Sequence, residues 1–179
     1  MAGLEQLNGA VLLIPLILIR FGLLAILDRG AIKRAAHFPL FSGRKKVAYW
    51  IYQLSNAAIF IYLFFLRVET EPLWSMYAGL CVYTSGVALC TVAVFDFAKP
   101  SGNGINNRGI YRISRNPMYA AYFIFFSGCA LLTRSLVLFG IVLIFQISTH
   151  WIIMAEERWC IETFGDEYRQ YMNRVRRYL

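Results

Sequence analysis

The chain is short of charge: 16% of its 179 residues are Asp, Glu, Lys or Arg, against 59% hydrophobic ones. Soluble domains carry roughly 25% charged and 45–50% apolar residues, so an ordinary soluble domain is excluded. The four cysteines lack pairing or metal-ligand spacing. Cys81, Cys90 and Cys129 lie in apolar runs and Cys160 on the polar tail, so neither a disulfide framework nor a metal centre is expected. No nucleotide-binding glycine loop is present either, because Gly102-Asn103-Gly104 lacks the preceding strand and following helix that such a loop needs. Met1 to Asn8 offer Glu5 and no basic segment, so the first apolar run is expected to stay rather than be cleaved as a signal. The net charge of +8 does not point to nucleic acid, since the basic residues sit in short clusters flanking apolar runs. No nucleic acid and no obligate protein partner are expected.

What the sequence does have is apolar runs of bilayer length. A membrane span takes roughly 17–25 residues, and five runs qualify or nearly so: Ala10 to Leu27, Val47 to Leu66, Leu73 to Phe97, Met118 to Thr133 and Ser135 to Ala155. The expected fold is an all-α polytopic bundle of about five transmembrane helices. It forms one integral membrane domain over residues 1–179, with three spans in 1–97 and a loop, helical hairpin and tail in 98–179. Arg20 lies inside the first run, where an unpaired charge costs about 2.5–3.5 kcal/mol. It therefore snorkels, pairs with another helix, or faces a polar cavity. Gln53, Ser55 and Asn56 suit hydrogen bonding between helices, and Gly79 and Gly86 suit close helix approach. Arg29, Lys33, Arg34, Arg44, Lys45 and Lys46 precede the second run, Lys99, Arg108, Arg112 and Arg115 precede the fourth, and five arginines follow the fifth; Arg67 and Arg134 fall opposite. By that asymmetry the N-terminus lies outside, and the C-terminus and the loop before the fourth run are cytoplasmic.

The longest polar interruption with a specific pattern is Arg108 to Tyr119, RGIYRISRNPMY. Asn116 precedes a proline and suits an N-cap, with Pro117 at the first helical position. A helix starting there turns its free N–H groups to water, either as an anion site or as an ordinary capped loop. On the fifth run, Gln146, His150 and Glu157 fall within about 40° of one another at 100° per residue. Glu156 and Glu157 stand where that run ends.

Gly109-Ile110-Tyr111, then Arg115-Asn116-Pro117-Met118-Tyr119, then Glu156-Glu157, then Phe164-Gly165-Asp166-Glu167-Tyr168 and Tyr171 resemble the C-terminal signature of the membrane methyltransferases that include isoprenylcysteine carboxyl methyltransferases and phospholipid N-methyltransferases. The resemblance covers roughly residues 96–175. It implies S-adenosylmethionine as cofactor, with S-adenosylhomocysteine as product, bound at the cytoplasmic face without a soluble dinucleotide-binding domain. Carried over by residue, the cofactor contacts fall on Asn116, Pro117, Met118 and Tyr119, with Tyr111 upstream and Glu156 and Glu157 downstream. Less patterned contacts fall on Asp96, Asn103, Gly104, Ile105 and Asn106. Helix-start N–H groups would receive a carboxylate, Glu156 an ammonium or ribose, and tyrosine rings the adenine.

The acceptor implied is a membrane lipid or lipidated molecule: a phospholipid amine first, an isoprenylcysteine carboxylate second. The isoprenylcysteine enzymes have His where Asn116 stands and Arg where Ile152 stands, and a Gly is common at Ala121; these are departures from that branch. An amine acceptor must lose a proton, and His150 is the residue within the spans whose ordinary pKa, about 6.5, suits a base. It is also, and more readily, read as a core histidine bonded between helices. The tail from Arg158 to Leu179 either covers the cofactor or lies as an interfacial amphipathic helix on anionic lipid headgroups. A non-enzymatic membrane scaffold and a sterol-reductase-like protein are the alternatives.

Overall fold

The computed structural model describes residues 7–27, 44–99 and 104–178. Asn103 and most of the first basic loop lie outside them. Each expected run becomes a helix: α1 (Gly9–Leu27), α2 (Arg44–Leu63), α3 (Leu73–Phe97), α4 (Pro117–Leu132) and α5 (Leu136–Arg174). Among the described residues there is no strand, only two isolated bridges. By length and composition α1, α3 and α5 can each cross a membrane, and α4 is a shorter apolar helix; this is a membrane protein. α2 opens on Arg44, Lys45 and Lys46 and stops three residues earlier than expected, at Leu63. α1 is irregular. It starts as a 3-10 turn capped by the Asn8 side chain and passes through a π-helical stretch, Leu18–Leu23, that carries Arg20.

Backbone hydrogen bonds tie the helix ends into two groups. At one end Gly9 N–H donates to Leu66 C=O, Val68 N–H to Leu7 C=O, and Glu69 N–H to Leu132 C=O, each at 2.8 Å. Arg134 adds a bond to Glu71 C=O at 3.1 Å. Arg67 and Arg134, which the charge pattern sets apart from the other cations, thus share this end. The RGIYRISRNPMY segment and the tail meet at the other, so the five helices run up and down alternately.

α3 and α4 pack backbone to backbone, as Gly86 suggests. A Cβ on Gly86 would stand 2.5 Å from the Phe125 backbone, and one on Gly128 2.5 Å from that of Tyr83. Overpacking of this kind costs about 1–3 kcal/mol or more, so Gly86→Leu should lower the thermal midpoint in detergent by roughly 4–10 °C. An unchanged melting curve would show that the two helices part freely.

The fifth span is expected to end near Ala155 with a helical C-terminal segment after it, and α5 joins the two. It continues to Arg174 and bends once, at Gly165 (φ 58°, ψ −130°). The end of an apolar run marks where the bilayer stops, not where a helix must; Glu156, Glu157 and Arg158 are good helix formers and carry it on. At 1.5 Å per residue the stretch from Leu136 to Gly165 is about 44 Å long, against a hydrocarbon core of about 30 Å. The excess stands beyond the membrane as one wall of a site, and the bend at Gly165 returns the tail over it.

Candidate functional site

The local sequence explains how the loop before α4 is held. Asp96 at the end of α3 accepts from Ile110 N–H at 2.7 Å. Gly109 lies against the same carboxylate with φ 53°, where a Cβ would fall 1.9 Å from Asp96 Oδ2. Only glycine fits, and Asp96 acts as a staple. Asn116 and Pro117 take the N-cap and first helical positions, as the dipeptide requires. The Asn116 side chain does not cap the helix, however; it donates to Arg177 C=O at 3.1 Å.

The tail is latched onto this loop by charge and backbone. Arg115 and Arg177 converge on Glu157 with Nη2 to carboxylate oxygen distances of 2.8 and 2.9 Å, and the Arg115 and Glu157 side chains are only 7% and 5% exposed. The bond to Glu157 holds the Arg177 guanidinium above its ordinary pKa. Arg115 also donates to Met172 C=O and Val175 C=O, at 2.8 and 3.2 Å. Tyr171 donates its hydroxyl to Tyr111 C=O at 2.6 Å.

Beneath the latch is a cavity of about 430 Å³, within the range of small-molecule sites. Gly104, Ile105, Asn106, Tyr111 and Asn116 line one side. Glu156, Glu157, Trp159, Cys160 and Phe164 line the α5 side, and Tyr168 and Tyr171 close it from the tail. Asn106 Oδ1 is buried there without a hydrogen-bond partner, an acceptor that a ligand N–H or O–H would satisfy. Burial holds the Tyr111 phenol well above its ordinary pKa, so it is a neutral wall.

A second cavity, about 230 Å³, lies deeper among the helices and is lined by Arg20, Tyr52, Gln53, Asn56 and Tyr122, with apolar walls from Leu16, Phe21, Phe60, Phe126 and Phe145. Tyr119 and Tyr122, one turn apart on α4, stand between the two cavities. Tyr119 donates to Glu156 Oε1 at 2.7 Å, and Tyr122 accepts from Arg20. Their rings meet edge to face, with centroids 6.3 Å apart.

The residues singled out from sequence therefore separate into groups. Gly104, Ile105, Asn106, Tyr111, Asn116, Glu156 and Glu157 come together around the larger cavity, although both Glu157 oxygens are already engaged by arginine. Asp96, Pro117, Met118 and Tyr119 do not line that cavity; Met118 Sδ accepts from the Tyr122 hydroxyl at 3.6 Å. His150 lines neither cavity; its Nδ1 lies 2.5 Å from the Tyr178 hydroxyl, a contact between α5 and the tail.

Sequence reasoning missed Arg115 as the keystone of the latch and Phe97 and Cys160 as walls. Burial pushes the Cys160 thiol up to about 12, leaving far less thiolate at neutral pH than an ordinary cysteine with a pKa near 8.5. A maleimide should therefore modify Cys160 roughly a thousandfold more slowly than a model thiol at pH 7.5. Rapid modification, read by mass spectrometry, would mean that the tail does not stay closed.

Comparison with known proteins bears on this arrangement. Residues 80–167, just under half of the chain, match the family model described as phospholipid methyltransferase. Methanethiol S-methyltransferase 1 of Bradyrhizobium diazoefficiens is 38% identical over 66 residues, which are 37% of this chain and 22% of that relative. The match thus spans about a fifth of the relative's length. No solved structure matches. The resemblance to the membrane methyltransferases is thereby supported, and neither a scaffold nor a sterol reductase is favoured.

Proposed function

Starting from a chain that carries the membrane methyltransferase segment over residues 80–167, we propose that this protein is an S-adenosylmethionine-dependent methyltransferase acting on an amphiphilic, lipid-like acceptor. The observation that carries this reading is the pair of cavities on either side of Tyr119 and Tyr122. The larger one faces the end of the bundle a soluble cofactor would reach; the smaller one lies at the depth of the helices.

The larger cavity fits the cofactor by its donor set. Glu156 offers a carboxylate to an ammonium or a ribose hydroxyl, the unpartnered Asn106 Oδ1 accepts a further N–H or O–H, and Tyr111, Trp159 and Phe164 offer ring faces for adenine. When bound, the cofactor supplies a sulfonium-activated methyl group. The protein's part is to position and to exclude water: the Arg115–Glu157–Arg177 latch closes the tail over the cavity, and Tyr119 fixes the rotamer of Glu156 through its hydroxyl. A phospholipid amine is the preferred acceptor and an isoprenylcysteine carboxylate the next. The named relative favours a second reading, a small thiol acceptor.

Binding of S-adenosylmethionine to the detergent-purified protein, followed by transfer of a labelled methyl group to phosphatidylethanolamine, a farnesylcysteine analogue or methanethiol, tests the proposal. Calorimetry without a binding signal would remove it, and the labelled product decides the acceptor. The same reading puts the larger cavity and the tail in the cytoplasm. In a cysteine-free background, an impermeant thiol reagent should then reach Glu162→Cys only from the cytoplasmic side and Thr70→Cys only from outside. Reversed labelling would set the site on the wrong face for a cytosolic cofactor.

A further inference from the structure

We propose that the smaller cavity is an anion-recognising acceptor subsite, in which Arg20 binds the phosphate or carboxylate of an amphiphile; this rests on the methyltransferase reading above. Arg20 lies in the seventh to eighth residue from the end of α1, roughly 10–12 Å inside the helix by its rise, where a charge is retained only for a reason. Its partners are the Tyr122 hydroxyl and ring, the ring centroid 5.2 Å from the guanidinium carbon. Among the described residues no carboxylate lies within ion-pair distance of it. Glu156, whose carboxylate receives the Tyr119 hydroxyl instead, leaves the guanidinium without a fixed counter-ion.

Three further observations turn that unpaired cation toward a ligand. The cavity it lines also holds the Gln53 and Asn56 carboxamides, and among the described residues Asn56 makes no side-chain hydrogen bond, so a donor stands free beside the cation. The backbone around Arg20 is π-helical from Leu18 to Leu23, a distortion found mostly as single turns at functional sites. Phe21, at the cavity's edge, is 57% exposed, so the cavity reaches the lipid-facing surface. A guanidinium with five fixed donors suits a phosphate or carboxylate oxygen better than a neutral group. An anion there would lie beside Tyr122, one turn of α4 from the residue that touches Glu156.

The test uses the full chain in detergent and measures binding without turnover. The probes are dihexanoyl phosphatidylethanolamine for a phosphate, N-acetyl farnesylcysteine for a carboxylate, and a dodecyl glycerol ether as the neutral control. Arg20→Met should weaken whichever anionic probe the wild type prefers by about tenfold or more, the scale of a lost charge-assisted contact. It should leave the neutral ether and S-adenosylmethionine within about twofold. Since it removes a half-buried charge that has no counter-ion among the described residues, Arg20→Met is expected to fold about as well as the wild type. Asn56→Leu provides a second variant, with a loss of roughly threefold for the same probe. Equal affinity of wild type and Arg20→Met for both anionic probes would overturn the proposal, as would an equal loss for the neutral ether. Failure of the wild type to bind S-adenosylmethionine would strike the methyltransferase reading and leave these binding ratios standing.

Discussion

Glu157→Ala should unlatch the tail and abolish tight cofactor binding at once. Two guanidiniums meet on this one carboxylate, and Arg115 is nearly as buried as Glu157 itself. Removing one partner of a buried ion pair costs about 3–5 kcal/mol because the other charge is left without compensation. The cost should appear locally. Arg115 also fixes Met172 and Val175 through their carbonyls, and Tyr168 and Tyr171 form a small cluster with Ile105 that is separate from the main bundle core. The helices from α1 to α4 do not depend on it. Limited proteolysis should therefore cut after Gly165 in Glu157→Ala while the bundle stays intact. S-adenosylmethionine affinity should fall by roughly 100-fold or more, since 2.7 kcal/mol already corresponds to that factor. Wild-type proteolysis kinetics in the variant would mean that the latch is not what holds the tail.

The bundle was legible because hydrophobic runs of bilayer length have few other uses, and the start of α4 because Asn-Pro leaves the backbone little choice. The tail was legible only as a segment that either covers a site or lies at the interface, since Glu, Arg, Gln and Tyr continue a helix and line an interface equally well. The stripe on α5 shows the limit more sharply. Gln146, His150 and Glu157 share one face by the 100° rule, and the polarity of that face drew attention to it. The face turned into the bundle is Phe145, Thr149, Ile152 and Glu156, the first three nearly or fully buried. Periodicity can group residues on a helix but cannot say which group meets Tyr119; packing against α2 and α4 decides that. Adjacent glutamates 100° apart thus divide between two tasks, Glu157 as the strut of the latch and Glu156 as the acceptor in the cavity. Asp96 shows a related limit: the sequence places a carboxylate at a helix end, and only the structure shows that one of its oxygens accepts from the amide of Ile110.

That division between the glutamates predicts the last result. Glu156→Gln keeps the size of the side chain and an oxygen for the Tyr119 hydroxyl, whereas Glu156→Ala removes both; the two variants separate charge from geometry. If the carboxylate meets the cofactor's ammonium, the charge is the larger part, and a hydrogen bond to a charged group is worth about 1.5–3 kcal/mol. Calorimetry should then show S-adenosylmethionine affinity reduced roughly 10- to 150-fold in Glu156→Gln and somewhat further in Glu156→Ala. Tyr119→Phe frees the carboxylate's rotamer and removes a hydrogen bond that favours its ionised form, which burial already opposes by pushing Glu156 up to about 7; it should cost about 3- to 10-fold. Neither class of variant touches the Arg115–Glu157–Arg177 latch, so the tail should resist proteolysis as in the wild type. This is where the two sets of variants diverge: Glu157→Ala loses the ligand because the lid opens, Glu156→Gln loses it with the lid closed. Full affinity in Glu156→Gln together with loss in Glu156→Ala would reassign Glu156 from ammonium partner to a hydrogen-bonded spacer for Tyr119. Full affinity in both would empty the larger cavity of its proposed ligand.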